Sequence, residues 1–303
     1  MTQKKLTNIP ASIRQRLLNE ARHSHRPFNE LVQYYAIERF LFRLSQSKYA
    51  ARFILKGALL FTAWKLSRHR STMDIDLLGK IRNEAAYIEK VISEICGIDV
   101  PEDGVVFDSG SISTETIAET AEYQGIRVLL SGTLDTIRIK IQIDIGFSDA
   151  IPKPMKLDYP CVLDMPGPRL NCYTPERMIA EKYQAMIHLE TINSRMKDFY
   201  DIWFLSHVQN FNGSVLAETI QETFRTRQTK LDLQPVTFSD PFKKDDLKQK
   251  QWKGFLKKVR MEGVPEGFAE VVTRVSEFLL PVTEALLEDS RFDKNWEPKT
   301  GWR

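Results

Sequence analysis

Cysteine is scarce in this chain. Cys96, Cys161 and Cys172 are the three present. They form no CxxC pair and leave an odd one over, which argues against a disulfide framework and for a reducing compartment, the cytoplasm. Histidine is nearly as sparse, with five residues, no HExxH and no Cys/His set at zinc spacing, so a transition-metal centre is not expected. Long apolar runs are missing too. None approaches the ~18 residues of a membrane span, and the opening MTQKKLTNIPASIRQRLL carries no apolar stretch of the kind a secretory leader needs. A soluble, unexported, cytoplasmic protein with no membrane partner is expected. Charge of one sign is not in excess either. Forty-three Lys and Arg against 40 Asp and Glu leave +3, so any basic surface must be local rather than a property of the whole chain.

What is present suffices for one large core or two smaller ones: 303 residues, 42% of them hydrophobic. Two lobes are expected. Apolar residues recur near helical spacing from Ile13 to Leu44, broken at Arg26-Pro27, which predicts two helices before the first strand. Phe53-Ile54-Leu55 reads as a short strand halted at Lys56-Gly57, with a helix from Ala58 to Leu66 behind it. Ser71 to Gly79 alternates over its second half, so Asp74 and Asp76 share one face while Ile75 and Leu77 take the other. Glu84 to Ile95 reads as a helix and Gly125 to Ser131 as a strand. In the next strand Ile137, Ile139, Ile141, Ile143 and Ile145 alternate with Arg138, Lys140, Gln142 and Asp144. Five prolines between Ile151 and Pro168 mark a crossover or linker. Beyond it Thr174-Pro175-Glu176 opens a helix to about Leu189, and Asn193-Ser194 breaks it before another runs from Arg195 to about Ser206. The remainder reads as helices around a polar loop near Pro235 to Pro241.

Two aspartates at i and i+2 on one strand face form an oxygen-rich pair suited to a hard cation that also takes phosphate oxygens. Asp144, on the polar face of its own strand, is a candidate third carboxylate, and two-metal phosphoryl chemistry needs such a set. In that arrangement Asp144 is also the base nearest an attacking hydroxyl. A Lys56-Gly57 turn opening a helix precedes the pair by one element and offers amides for phosphate. Each feature has an ordinary reading: DxD recurs by chance, a strand-end aspartate is often a turn residue, and a glycine often only permits close packing.

The segment FILKGALLFTAWKLSRHRSTMDIDLLGK, with YTPERMIAEKYQAM, SRMKDFYDIWFL and KQKQWKGFLKK further on, resembles the AbiEii/AbiGii-type nucleotidyltransferase toxins. This is the MenT-like family within the DNA polymerase beta-like nucleotidyltransferase superfamily. The resemblance implies an α/β (α+β) fold: a small mixed-sheet nucleotidyltransferase lobe flanked by helices, then a mostly helical lobe, with the active site in the cleft between them; the proline-rich crossover puts these lobes at 1–168 and 169–303. It matches Asp74 and Asp76 to the family's metal-binding DxD and Gly57 to its phosphate-holding turn. Thr72 matches the hydroxyl position ahead of the DxD, Lys182 the lysine that contacts the triphosphate, and Asp198 the acid of the last motif. Ala58 stands where a second Gly or Ser is usual, which removes one hydroxyl from the turn.

Expected site residues are thus Asp74, Asp76 and Asp144 on Mg²⁺, as two ions, with Lys56, Gly57, Thr72, Lys182 and Arg195 on the nucleoside triphosphate; the catalytic set is Asp74, Asp76, Asp144, Lys182 and Asp198. The resemblance further implies RNA, with tRNA as acceptor, and a cognate antitoxin, often a winged-helix regulator. Alternatives are a non-catalytic nucleotide- or RNA-binding protein, and transfer of a nucleotide or phosphate onto protein.

The second-lobe residues also have plain readings. Lys182 and Asp198 lie about 24 Å apart on any single straight helix, so they meet only if the break at Asn193-Ser194 folds the chain back. Lys182 alone reads equally as a solvated helix residue, and Lys197 with Asp201 as an i,i+4 ion pair. From Lys243 to Arg260 eight Lys or Arg stand against Asp245 and Asp246. With Trp252 and Phe255 interleaved, this is either an RNA surface or an amphipathic helix with its aromatics turned inward.

Overall fold

The computed structural model describes residues 8–67, 69–118, 124–148, 153–259 and 263–303. Two compact units emerge. The first runs to Tyr173 apart from a short stretch around Arg70, and the second takes that stretch together with Thr174–Arg303. The division lies beyond the Pro168 limit expected from the prolines, because Arg169–Cys172 is hydrogen-bonded into the first unit's sheet.

Strands of the first unit are β1 (Phe53–Lys56), β2 (Asp74–Gly79), β3 (Val105–Ala118), β4 (Gln124–Leu134), β5 (Ile137–Gly146), β6 (Met155–Asp158) and β7 (Arg169–Cys172). Among the described residues they form one mixed sheet in the order β3-β4-β5-β2-β1-β7-β6. β2 runs parallel to β5 and antiparallel to β1, so it is central. Its helices are α1 (Ile9–Ser24), α2 (Phe28–Gln46), α3 (Leu59–Ala63) and α4 (Ala85–Cys96).

Alternation in β5 buries Ile139, Ile141, Ile143 and Ile145, each worth roughly 1.5–3 kcal/mol against exposure. Directly paired residues of neighbouring strands share a face. The row Ile75, Ile143, Val128, Thr114 therefore lies on the apolar side, where Thr114 Oγ1 donates to Glu89 of α4 at 2.7 Å. α4 lays Ile88, Val91, Ile92 and Ile95 into the core. α2 is buried on almost every side, from Leu31 to Leu44, with Glu38, Arg39 and Arg43 among its buried residues. Its cations are paired accordingly: Arg43 grips the buried Asp103 through two hydrogen bonds of 2.6 and 3.1 Å.

The second unit consists of α5 (Pro175–Leu189), α6 (Met196–Val208), α7 (Gly213–Thr226), α8 (Asp240–Lys244), α9 (Asp246–Val259) and α10 (Phe268–Leu287). A small sheet orders β10 (Gly301–Trp302), β9 (Asn295–Glu297) and β8 (Phe211–Asn212). Thr174 caps α5, its hydroxyl accepting from Arg177 N at 3.2 Å. Trp252 of α9 is fully buried, with its indole N–H on Pro265 O at 3.0 Å. No helix among the described residues is long and apolar enough to cross a membrane.

Candidate active site

The polar face of the first unit's sheet carries a row of charge. Lys56 pairs with Asp76, Asp76 with Asp144, Asp144 with Arg127 and Arg127 with Glu115. Five side chains from five adjacent strands thus stand abreast on one face. One step along β2, Asp74 lies beside Gln142. Burial is intermediate for Asp74 and Asp76, while Ile75 and Leu77 are buried on the other side, as the alternation requires.

Gly57 follows β1 and adopts φ +70°, the left-handed region in which side chains are disfavoured. A Cβ there would lie 1.9 Å from Asp76 Oδ2. The bare α-carbon is therefore what makes room for the Asp76 carboxylate. The helix behind this turn is shorter than expected. α3 covers only Leu59–Ala63, and the chain turns at Lys65 with φ 57°, so its dipole contributes little to holding an anion. Thr72, just ahead of β2, donates its backbone N–H to Tyr34 Oη of α2 at 3.2 Å, which anchors the approach to the carboxylates.

Asp144 is placed beside Asp76, but its oxygens are engaged. Arg127 donates to both, Nε to Oδ1 at 2.8 Å and Nη2 to Oδ2 at 2.9 Å, and Gln142 Nε2 adds contacts of 3.2 and 3.3 Å. The fork of a guanidinium matches a carboxylate, so such a pair resists casual exchange. Among the described residues no three Asp, Glu, His or Cys side chains are gathered closely enough to share a metal ion. Asp74 and Asp76, with the space left by Gly57, suit a hard cation by donor chemistry. The arrangement differs from the expected three-carboxylate set in that Arg127 already holds Asp144. Arg127 was missed in the sequence because register, which alone puts it opposite Asp144, is not visible there.

The second unit holds the other expected residues in a buried cluster. The break after α5 folds α6 back, and Lys182 Nζ donates to Asp198 Oδ1 at 2.6 Å and lies 2.9 Å from Asp201 Oδ2. Arg70 forks onto Asp201 with bonds of 2.7 and 2.9 Å. Arg195 Nε stands 2.6 Å from Asp198 Oδ2. That is ion-pair distance without hydrogen-bond alignment, since the same oxygen has no hydrogen-bond partner. Three cations meet two carboxylates here, so the cluster carries one positive charge in excess.

Burial by itself would raise the Asp201 carboxyl, but Arg70 and then Lys182 outweigh it and hold it down to about 2. Asp198 is shifted in the same direction: burial opposes, and Lys182 and Arg195 prevail. Lys182 is kept protonated despite its burial by the two aspartates. Lys182 is therefore a charge fixed between acids, and Arg195, with 38% of its side chain exposed, is the open cation of the cluster. Asp201 does not pair with Lys197. It is fully buried and belongs to the cluster, as does Arg70.

The connection that sets this geometry is clamped by Lys248 of α9, whose Nζ donates to Thr191 O at 2.8 Å and Asn193 O at 2.7 Å. Lys248 is buried, whereas Lys250, Lys253, Lys257 and Lys258 are exposed. Trp252 and Phe255 stack on each other, and Phe255 packs on Tyr200. The aromatics of the basic segment thus pack inward, while Lys250, Lys253, Lys257 and Lys258 face outward. Arg260 lies outside the described residues.

Comparison with known proteins gives one family match, described as the nucleotidyl transferase AbiEii toxin of a type IV toxin–antitoxin system, over residues 39–274. No curated protein matches the chain. Among solved structures, a candidate nucleotidyltransferase from H. pylori is similar at TM-score 0.47 and 13% identity, over 87% of this chain and 99% of its own. JHP933 from Helicobacter pylori is similar at TM-score 0.46 and 15% identity, over 86% and 94%.

Proposed function

The chain belongs to the AbiEii nucleotidyl transferase toxin family, and from that premise we propose that it moves a nucleotide from a nucleoside triphosphate to the 3′-hydroxyl of an RNA, with tRNA as acceptor. Nucleotidyl transfer within a toxin–antitoxin system is the family's activity, which implies a triphosphate substrate and an antitoxin partner. Mg²⁺ dependence, the RNA acceptor and a winged-helix antitoxin are the parts proposed.

The observation that carries the reading is the nesting of Asp76 on Gly57, 1.9 Å from where a side chain would begin, with Asp74 two residues away on the same strand face. Asp74 and Asp76 would hold Mg²⁺, which neutralises triphosphate charge and polarises the α-phosphate. Transfer is an in-line displacement: the RNA 3′-oxygen bonds to the α-phosphorus, the bond to the β-phosphate oxygen breaks, and pyrophosphate leaves with its electron pair. Lys56 stands beside Asp76 and offers positive charge to the leaving phosphates, and the Thr72 hydroxyl assists nucleotide placement. Arg195 presents the surplus charge of the buried cluster, while Lys182 and Asp198 hold it in position. Asp144 takes up the attacking hydroxyl's proton or a cation only after Arg127 exchanges it for a phosphate.

The test is incubation of the protein with each labelled triphosphate, Mg²⁺ and total tRNA, beside Asp76→Ala of unchanged circular dichroism and melting. Label in RNA from the native protein and none from the variant is expected. Undiminished transfer by Asp76→Ala, or no transfer to RNA with any nucleotide, overturns the reading.

A further inference from the structure

At the opposite end of β1 and β2 from the carboxylates, the first unit has an open pocket of about 630 Å³, lined by Lys48, Tyr49, Arg52, Lys80, Arg82 and Tyr87 among others. Its construction follows from the ladder. The β1–β2 pairing runs out at Phe53 opposite Gly79, and one further bond, Lys80 N to Arg52 O at 2.8 Å, sets Arg52 and Lys80 side by side just beyond the sheet. Lys48 and Tyr49 come from the turn after α2, and Tyr87 from the first turn of α4. The Arg82 guanidinium lies 5.8 Å over the Tyr87 ring.

Charge in this pocket is poorly balanced. Lys48 has a partner in Glu94 at 2.8 Å, which also accepts from Tyr49 Oη at 2.8 Å. Among the described residues no acid lies within ion-pair distance of Arg52, Lys80 or Arg82. Three uncompensated cations around one cavity repel one another, and protein surfaces ordinarily intersperse acids among them. An anion relieves that repulsion. Two tyrosine rings beside the cations add flat surfaces on which a base stacks whatever its identity.

We propose that this pocket binds the sugar–phosphate backbone of a polynucleotide, with a base against Tyr87 or Tyr49. The cavity is too large and its cations too widely sourced for one inorganic phosphate. The carboxylates do not line it: Lys80 lies four residues beyond Asp76, roughly 13 Å along a strand, and the buried pair Ile54 and Leu78 stands between them on the same face. At the ~3.4 Å rise of a stacked strand that is about four nucleotides. An acceptor whose end lies at Asp76 would meet the pocket a few residues upstream, after passing over the Ile54–Leu78 pair. Only this last step rests on the RNA-transfer reading; the binding itself does not.

The experiment measures anisotropy of fluorescein-labelled tRNA with full-length protein, in EDTA and without nucleotide, between 50 and 200 mM KCl. The comparison is with the triple variant Arg52→Gln, Lys80→Gln, Arg82→Gln. The three side chains extend from the ladder's end rather than into the core, and Lys80→Gln alone guards against a folding artefact. Each phosphate contact contributes ~0.7–0.9 to the log–log salt slope, so the triple should flatten it by about 2 and lower affinity at least tenfold at the low-salt end, and Lys80→Gln should flatten it by a little under 1. Unchanged slope and affinity in the triple overturn the proposal. So does intact RNA binding with lost antitoxin capture, which assigns the pocket to an acidic protein. Weakened RNA binding in the triple, alongside failure of every triphosphate to label RNA, would leave this site standing and remove the transfer reading instead.

Discussion

Replacing Gly57 with alanine adds one methyl group at the point where turn and carboxylate meet. Its carbon would lie 1.9 Å from Asp76 Oδ2, 2.6 Å from Cγ and 2.8 Å from Cβ. Restoring an ordinary contact of ~3.4 Å moves the carboxylate oxygen by about 1.5 Å. Rotating the Asp76 side chain does not suffice, because its own Cβ overlaps as well, so β1 or β2 must shift. Holding alanine at φ +70° costs about 1–2 kcal/mol, and overpacking adds about 1–3 kcal/mol. The expected loss of stability is therefore on the order of 2–5 kcal/mol, read from urea unfolding. If Asp76 holds Mg²⁺ as proposed, a displacement of this size should lower kcat/KM for nucleotide transfer by roughly 100-fold. The cause is separable by a double-mutant cycle on stability: with Asp76→Gly all three overlapping atoms are gone, and Gly57→Ala should then cost little beyond its backbone term. Activity within threefold of native, with an unaltered unfolding midpoint, refutes the nesting argument.

The remaining expectations concern charge. Arg127→Gln removes the guanidinium from Asp144 and should tighten binding of Mn²⁺, used as the metal probe in calorimetry without nucleotide. Unaltered Mn²⁺ affinity would show that Arg127 does not compete with a cation. The Asp201 carboxyl, held at about 2 against an ordinary 3.8, is depressed on folding, so its stabilisation is complete above pH ~4 and drains as pH falls towards 2. This amounts to on the order of 2 kcal/mol. The acid limb of the urea midpoint should lose this component in Asp201→Asn, and identical limbs would count against the cluster. Lys253→Gln, Lys257→Gln and Lys258→Gln together should flatten the salt slope of tRNA binding by about 2 with nucleotide binding retained; an unchanged slope assigns α9 to solvated surface or antitoxin contact.

How far the sequence discloses this arrangement depends on how locally each feature is encoded. The alternation of Ile137 to Ile145 and the polar face of Asp74 and Asp76 are local and legible. So are the cap at Thr174 and the break after Leu189, and from the break follows the meeting of Lys182 with Asp198. β3 is not legible, because its middle, Asp108 to Ser113, reads as a polar turn where the edge strand in fact shifts register against β4. β6, β7 and the three short strands of the second unit are too brief to show a period. Arg127 and the basic pocket depend on register between segments distant in sequence. Asp201 had a usable signal: Phe199, Tyr200, Ile202, Trp203, Phe204 and Leu205 leave α6 no exposed side, so an acid among them requires a buried partner, and Lys197 on the surface is not one.

The charged row across the sheet also bears on the order in which the proposed site is assembled. Asp76 and Asp144 stand side by side only through the parallel β2–β5 pairing, which joins residues roughly seventy positions apart, a non-local contact of the kind that forms slowly. During synthesis β2 emerges with its aspartates well before their neighbour exists, so a growing chain carries the DxD without the row. If the row is the active site, this ordering delays activity until β5 has paired with β2, and pulse-labelled exchange of the β2 and β5 amides should show their protection arising together and late.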